Sequence, residues 1–262
     1  MNNVNKTLYI PLFGKALVSK KGIILEDKRA EKIWESLGFP LGRKSRSKYL
    51  AYYMAMRARV FDDFVREKTA ERPNTVVLHL GAGLDSRALR VGADVIWYDV
   101  DFPEVIAERE KHFCQTDTYR MISSDIRDTA FLDRLPKAPH ATLVLEGVSM
   151  YLKNEELCHT LRALTEHFES VSLLVDCYTP FAAKMSKVKN PVKEVGVSEV
   201  FGVKSPEIFT ENTGLSFVRE REITPNYLVD ELSGMERALF RSLYAGGFSK
   251  KLYKLYEYEN KM

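Results

Sequence analysis

In this 262-residue chain, residue types suited to chemistry recur just past short apolar runs. Gly81-Ala82-Gly83 follows Thr75 to Leu80. Asp99 and Asp101 close the run from Val95 to Val100. Asp125-Ile126-Arg127 follows Met121 to Ser124, and Glu146, with Tyr151 after it, follows Ala141 to Leu145. Glycines at such a turn let a ligand come close to the backbone. Without a third glycine, the turn argues against NAD and against pyrophosphate, and no Gly-Lys-Ser/Thr follows to make a P-loop. An acid 18 or 20 residues beyond Gly81 suits a carboxylate accepting from both hydroxyls of a ribose, while Asp101 could also cap the helix after it. Asp125 is placed to accept from an adenine amino group with Ile126 packed on the ring, or to cap a helix from Asp128. Arg127 could grip a substrate carboxylate with both guanidinium arms. Glu146 ends a strongly apolar run, where a carboxylate is costly unless paired or at a pocket mouth.

These residues need elements to hold them. Thr75–Leu80, Val95–Val100, Met121–Ser124, Ala141–Glu146 and Val171–Asp176 read as strands. Helical patterns at Phe102–Phe113 and Asn154–Phe168 fall between them, so right-handed crossovers and a largely parallel sheet are expected. In such a sheet, ligands bind at the C-terminal strand ends, near the switch in strand order. Before the sheet, a helix from Asp27 or Lys28 stops at Gly38, and a longer one runs from Tyr49 to Thr69 with a stripe of Tyr53, Met56, Val60, Phe64 and Val65. Phe217–Ile223 and Leu252–Tyr258 read as two C-terminal strands, the latter alternating in the manner of an edge. The expected layout is a helical extension over 1–72, a core over 73–178, an insertion over 179–215 and C-terminal strands and helix over 216–262, all in one domain.

Composition narrows the class. A 45% hydrophobic and 29% charged chain with 14 Gly and 10 Pro is neither disordered nor fibrous. Thirty-nine basic against 36 acidic residues, net +3, is no nucleic-acid footprint. Cys114, Cys158 and Cys177 form no C-x-x-C pair, so neither a disulfide framework nor a cysteine-rich zinc site is expected, and a reducing cytoplasm fits. No apolar run approaches a membrane span, and the start lacks a signal-peptide pattern.

Taken in order, Arg57-x-Arg59-x-Phe61-Asp62-Asp63, Leu80-Gly81-Ala82-Gly83-Leu84-Asp85-Ser86-Arg87, Trp97-Tyr98-Asp99-Val100-Asp101-Phe102-Pro103-Glu104, Ser124-Asp125-Ile126-Arg127-Asp128 and Glu146-Gly147-Val148-Ser149-Met150-Tyr151-Leu152 resemble the leucine carboxyl methyltransferase superfamily. More closely, they resemble its bacterial branch of tetracenomycin-polyketide-methyltransferase-like O-methyltransferases, as does Leu8-Tyr9-Ile10-Pro11-Leu12-Phe13-Gly14-Lys15-Ala16. The resemblance implies a class I S-adenosylmethionine-dependent methyltransferase of Rossmann-like α/β fold. Its sheet would be seven-stranded, with the last strand reversed and helices on both faces. By position, Arg57 would hold the cofactor's methionine carboxylate, and Gly81 and Gly83 would form the backbone turn. Asp101, with Asp99 as the alternative, would take the ribose, Asp125 and Ile126 would frame the adenine, and Glu146 would stand near the methionine amino group. Arg127 and Tyr151 match positions that hold the acceptor carboxylate in eukaryotic members. Lys15 aligns loosely with a further cofactor-side lysine, and Ser86 stands where a threonine is usual.

The implied reaction is transfer of a methyl group from S-adenosyl-L-methionine to an oxygen of a small molecule, leaving S-adenosyl-L-homocysteine, with no metal. A carboxylate acceptor, ionised at neutral pH, needs no base, whereas a phenol does. None of the five histidines lies clearly on the strand-end rim, which favours the carboxylate. His79, inside the first strand, reads as a core or near-core residue. Thr179–Ser205, with Lys184, Lys187, Lys189, Lys193 and Lys204, reads as a lid over an anionic acceptor or as a solvated loop. The competing readings are a binding protein that keeps the cofactor pocket without transfer, a methyltransferase for a protein C-terminal carboxylate, and an NAD-dependent oxidoreductase.

Overall fold

The computed structural model describes residues 8–38, 46–92, 94–186 and 199–260. Three helices come first: α1 (Tyr9–Lys21), α2 (Lys28–Leu37) and α3 (Lys48–Glu71). Asp27 starts α2 by accepting a hydrogen bond from the Ala30 amide at 2.8 Å, and Gly38 ends it in a left-handed conformation. The helix α1 was absent from the sequence reading. It is buried on several sides (Tyr9, Ile10, Leu12, Ala16, Val18), so it has no clean apolar stripe to betray it. The stripe expected on α3 is buried as read, and so are Arg57, Asp62 and Lys68 on the same helix.

The sheet then forms from β1 (Thr75–Leu80), β2 (Ile96–Asp101), β3 (Tyr119–Ser123), β4 (His140–Leu145), β5 (Ser170–Tyr178), β6 (Ser216–Glu220) and β7 (Tyr253–Asn260). Their order is β3-β2-β1-β4-β5-β7-β6, with β1 to β5 parallel and β7 antiparallel to both of its neighbours. The helices α4 (Arg87–Val91), α5 (Pro103–Arg109) and α6 (Asn154–His167) make the crossovers, with a 3₁₀ segment (Thr129–Arg134) between β3 and β4. Short helices α7 (Pro180–Ser186), α8 (Asn226–Val229), α9 (Gly234–Tyr244) and α10 (Gly247–Lys250) fill the later connections. This is the α/β Rossmann-like architecture expected, and its strand order reverses between β1 and β4.

Successive strand residues point to opposite faces, and each face has its own apolar layer. Val77, Val144, Leu174 and Leu255 pack under α1 and α3. Leu78, Leu143, Leu173 and Val175 pack with Leu157, Leu161 and Leu164 of α6. One strand departs from expectation: β7 lies inside the sheet, and β6, exposed throughout, is the edge. Its Lys-Tyr-Glu alternation misled because both faces of β7 are covered. Glu257, fully buried, is held by Arg219 at 2.7 Å, Arg221 at 2.6 Å and Lys68 at 3.4 Å.

Within the suggested lid, α7 and residues 199–205 are described, and the chain carrying Lys187, Lys189 and Lys193 lies outside the described residues. The returning chain is tied down at Phe201, whose amide donates to the Met150 carbonyl at 2.8 Å, and at Val203, whose amide donates to the Tyr178 carbonyl at 2.8 Å. Among the described residues no helix is long and apolar enough to cross a membrane.

Leu143, at the sheet centre, is fully buried, whereas Met235 on α9 is 80% exposed. Leu143→Ala should therefore lower unfolding free energy by about 2–5 kcal/mol, and Met235→Ala by no more than about 0.5 kcal/mol, as urea titration would measure.

Candidate active site

The rim past the strands holds two adjoining cavities of about 310 and about 130 Å³, which share Leu8, Gly81, Gly83, Gly147 and Tyr151 as walls. The larger lies over the ends of β2 and β3. Phe102, Val105, Ile126, Val148 and Leu152 make it apolar, and Asp101, Asp125 and Arg127 add the polar groups. The smaller lies over the ends of β1 and β4. Its floor is ionic, with Lys15, Arg57, Asp85 and Glu146, and one wall is Met54, Met150, Tyr151, Tyr178 and Tyr253.

The glycine turn between them is fixed from several directions. Gly81 and Gly83 both have positive φ, +72° and +53°. The Gly81 amide donates to the Val100 carbonyl at 2.8 Å, and the Gly83 amide donates to Asp101 Oδ2 at 2.7 Å. Arg109 Nη1 donates to the Gly83 and Asp85 carbonyls at 2.8 and 2.9 Å. Asp101 also accepts from the Phe102 amide at 2.8 Å, so it anchors two backbone segments while bordering the larger cavity. Burial outweighs these two donors and pushes its carboxyl up to about 6.

Asp99 does not reach either cavity. It is fully buried beneath the turn, where it pairs with Arg109 and accepts from the Tyr119 hydroxyl at 2.6 Å and from Trp97 Nε1 at 2.8 Å. The alternative ribose acceptor lines neither cavity: two residues deeper on the same strand face, its carboxylate is engaged by the arginine that braces the glycine turn. His79 is buried beside this pair, as read, with Nδ1 3.5 Å from Asp99 Oδ1 and Nε2 3.3 Å from Arg87 Nη1, but it also borders the smaller cavity, where no histidine was expected. Burial lowers its pKa, so the ring is neutral.

Asp125 borders the larger cavity with Ile126. Capping falls to its neighbour, since Asp128 accepts from the Ala130 amide at 3.1 Å. Arg127 turns back on Asp125, with Nη2 2.5 Å from Oδ2 and Nε 3.0 Å from both carboxylate oxygens. That pairing holds the Asp125 carboxyl below its usual range. Arg127 thus borders the larger cavity, which it shares with Tyr151 but not with Tyr178 or Tyr253, and there it is paired with an aspartate.

Beneath the smaller cavity lies a continuous buried ion network. Arg57 Nε meets Glu146 Oε1 at 3.0 Å, and Nη1 meets Asp176 Oδ2 at 2.8 Å and the Tyr253 hydroxyl at 2.8 Å. Arg87 binds Glu146, Asp62 at 2.7 Å and Asp85 at 3.2 Å. Arg90 binds Asp62 at 2.6 Å, Asp85 at 2.6 Å and Asp27 at 2.9 Å, and Lys15 binds Asp85 at 3.0 Å. Burial would raise the Glu146 carboxyl, but Arg57 and Arg87 outweigh it and hold it at about 2. Arg57 and Glu146, expected as site residues, border the smaller cavity, as does Asp85, which was not among the expected residues; nor were Arg87, Arg90, Asp62 and Asp176, which complete the network beneath it. Asp176 carried a signal, since it closes the fifth apolar run of the sequence as Glu146 closes the fourth. Ser86, in the threonine position, donates to Asp27 at 2.5 Å and is buried.

The paired cavities suit an elongated ligand with a flat apolar end bearing hydroxyls and a zwitterionic end. S-adenosylmethionine has that form, so fold and cavity define a class I S-adenosylmethionine-dependent methyltransferase. The leucine carboxyl methyltransferase family model matches residues 3–165, and the chain belongs to that family. Tetracenomycin polyketide synthesis O-methyltransferase TcmP of Streptomyces glaucescens is 29% identical over 209 residues, covering 79% of this chain and 77% of its own. The S-adenosyl-L-methionine-dependent methyltransferase dpfgK of Gibberella zeae is 28% identical over 186 residues, 64% of this chain and 62% of its own. Among solved structures, a candidate methyltransferase from Thermobifida fusca aligns with TM-score 0.60 at 14% identity, over 97% of this chain and 94% of that one. Magnesium protoporphyrin IX methyltransferase from Synechocystis, with S-adenosylmethionine bound, aligns with TM-score 0.51 at 11% identity, over 95% and 97%.

A Cβ on Gly81 would stand 2.3 Å from Val148 Cγ2, in a backbone conformation that L residues avoid. Gly81→Ala should cost about 1–3 kcal/mol in chemical denaturation. Adding Val148→Ala should recover the part due to the clash and leave the part due to φ.

Proposed function

We propose that this chain transfers a methyl group from S-adenosylmethionine to a carboxylate oxygen of a small molecule. When bound, the cofactor supplies an electrophilic sulfonium methyl, whose S–CH₃ bond breaks with its electron pair kept on sulfur as the acceptor O–CH₃ bond forms. Arg57 holds the methionine carboxylate through Nη2, its Nε and Nη1 being taken by Glu146, Asp176 and Tyr253, and Glu146 faces the ammonium. The Gly81–Gly83 turn passes under the middle of the cofactor. Asp101 accepts from the ribose hydroxyls. Asp125, held by Arg127, accepts from the adenine amino group, and Ile126 packs on the ring. Tyr151, common to both cavities, faces the acceptor.

The observation that carries the acceptor reading is the state of the groups around the tyrosine wall. Among the described residues there, Asp176 and Tyr253 are engaged with each other and with Arg57, and the imidazole of the cavity, His79, is buried facing Asp99 and Arg87. The Tyr253 hydroxyl donates to Asp176 at 2.8 Å. Asp176 also accepts from Arg57 and from the Gly147 amide at 2.7 Å. The His79 nitrogens face Asp99 and Arg87. A phenol would find no ready acceptor for its proton, whereas a carboxylate arrives ionised. TcmP, by its name an O-methyltransferase of polyketide synthesis, supports oxygen as the target and a metabolite as the substrate. The aromatic and methionine wall suits a flat apolar body behind the reacting group.

Two measurements test this reading. Incubation with methyl-labelled S-adenosylmethionine and a panel of aromatic carboxylates and phenols should give an alkali-labile methyl ester. An alkali-stable ether as sole product would replace the carboxylate with a phenol. For the cofactor half, Asp101 titrates at about 6 in the folded protein, against about 3.9 unfolded. Its ionisation therefore opposes folding as pH rises through that window, while ribose hydroxyls donating to it favour the ionised form. S-adenosylmethionine should bind about tenfold more weakly at pH 5 than at pH 7, and Asp101→Asn should flatten that profile. Equal affinity at the two pH values in the native protein would remove Asp101 from the ribose.

A further inference from the structure

We propose that Asp176 is a cofactor-positioning residue that leaves the floor of the ionic cavity one negative charge in excess, so that the site prefers the cationic methyl donor to its uncharged thioether product. The network beneath the cavity contains the cations Lys15, Arg57, Arg87 and Arg90 and the carboxylates Asp27, Asp62, Asp85, Glu146 and Asp176. Every one of these side chains is 8% exposed or less. Among the described neighbours, Asp99 and Arg109 beneath the glycine turn cancel each other, and Asp101, held by backbone amides alone, adds a further carboxylate on the side of the larger cavity.

Asp176 is where the surplus lies. Glu146 draws on two guanidiniums, Arg57 and Arg87. Among the described residues Asp176 has one cationic partner, Arg57, shared with Glu146, and its other partners are the neutral Tyr253 hydroxyl and Gly147 amide. Burial and the nearby Glu146 charge raise its carboxyl pKa, as a carboxylate short of counter-charge should show. Arg57 and Tyr253, through which Asp176 acts, both border the cavity.

S-adenosylmethionine carries a carboxylate, an ammonium and a sulfonium, net +1. S-adenosylhomocysteine has lost the sulfonium charge and is net zero. A buried excess of −1 is offset by the first ligand and left standing by the second, and in a poorly solvated site that difference is large. The inference rests on the cofactor occupying these cavities.

Isothermal titration calorimetry with S-adenosylmethionine, S-adenosylhomocysteine and sinefungin, in which a protonated amine replaces the methyl sulfonium, tests it on the purified chain. The native protein should bind both cationic ligands more tightly than the thioether. Asp176→Asn should shrink that preference by about tenfold, the order of one charge at about 10 Å in a medium of effective dielectric about 20. Asp176→Glu, keeping the charge, should retain it. Equal affinity of the native protein for all three ligands would overturn the proposal, and so would an Asp176→Asn loss of one common factor, which marks a merely structural role. If Asp176→Asn does not fold, the native comparison decides. Binding of none of the three would overturn the cavity reading and this inference together, whereas unselective binding would overturn this inference alone.

Discussion

A guanidinium buried at the end of a sheet strand must be surrounded by acceptors or it is not buried at all, and this constraint organises the active-site end of the molecule. Arg57 comes from α3, Glu146 from the end of β4, Asp176 from β5, Tyr253 from β7 and Arg87 from the start of α4. No two of these are close in sequence, and the set is complete only when all five elements are in place. Buried ion pairs of this kind add little to net stability, since desolvation offsets much of their attraction. Losing one partner is another matter, because it strands a charge. The network therefore acts on register. It fixes how α1–α3 sit on the sheet, and with them the walls of the ionic cavity.

The same logic holds the glycine turn. A turn with two positive-φ glycines is conformationally loose in isolation. Here Asp101 takes one of its amides, Arg109 takes two of its carbonyls, and Asp99 with Tyr119 holds Arg109 from below. Asp99 thus contributes to the site without touching it. The two acids on β2 divide their work by strand geometry: Asp101 stands at the end, against the cavity, and Asp99, two residues deeper, supports the loop.

What the sequence disclosed follows from how locally each feature is encoded. The parallel strands were legible because both their faces are covered, which forces runs such as Leu143-Val144-Leu145. The rim residues Gly81, Asp101, Asp125 and Glu146 were legible because the fold delivers them at or just past the ends of those strands, where they border the two cavities. The long-range pairings were not. Arg87 and Asp62 sit in ordinary helical surroundings in the sequence, and nothing local says that they meet. Asp99 and Asp101 look equivalent until depth in the strand separates them. Strand β7 resembled an edge because the cations that neutralise Glu257 come from β6, α3 and the chain following β6.

The tyrosine wall shows why the acceptor is harder to read than the cofactor. Met54 belongs to α3, Met150 and Tyr151 to a 3₁₀ turn after β4, Tyr178 to β5 and Tyr253 to β7. These are side chains whose common task is shape, and shape tolerates substitution where charge pairing does not. Yet the wall is not independent of the network. Tyr253 belongs to both, its ring edge-on to Tyr178 at 5.0 Å and its hydroxyl on Arg57 and Asp176. A change in acceptor preference that moved Tyr253 would disturb the counter-charge of Arg57. Substitution at Tyr178 or Met150 would not, because neither is among the partners of the buried charges. The tyrosine wall is therefore free to vary mainly through residues that leave Tyr253 in place.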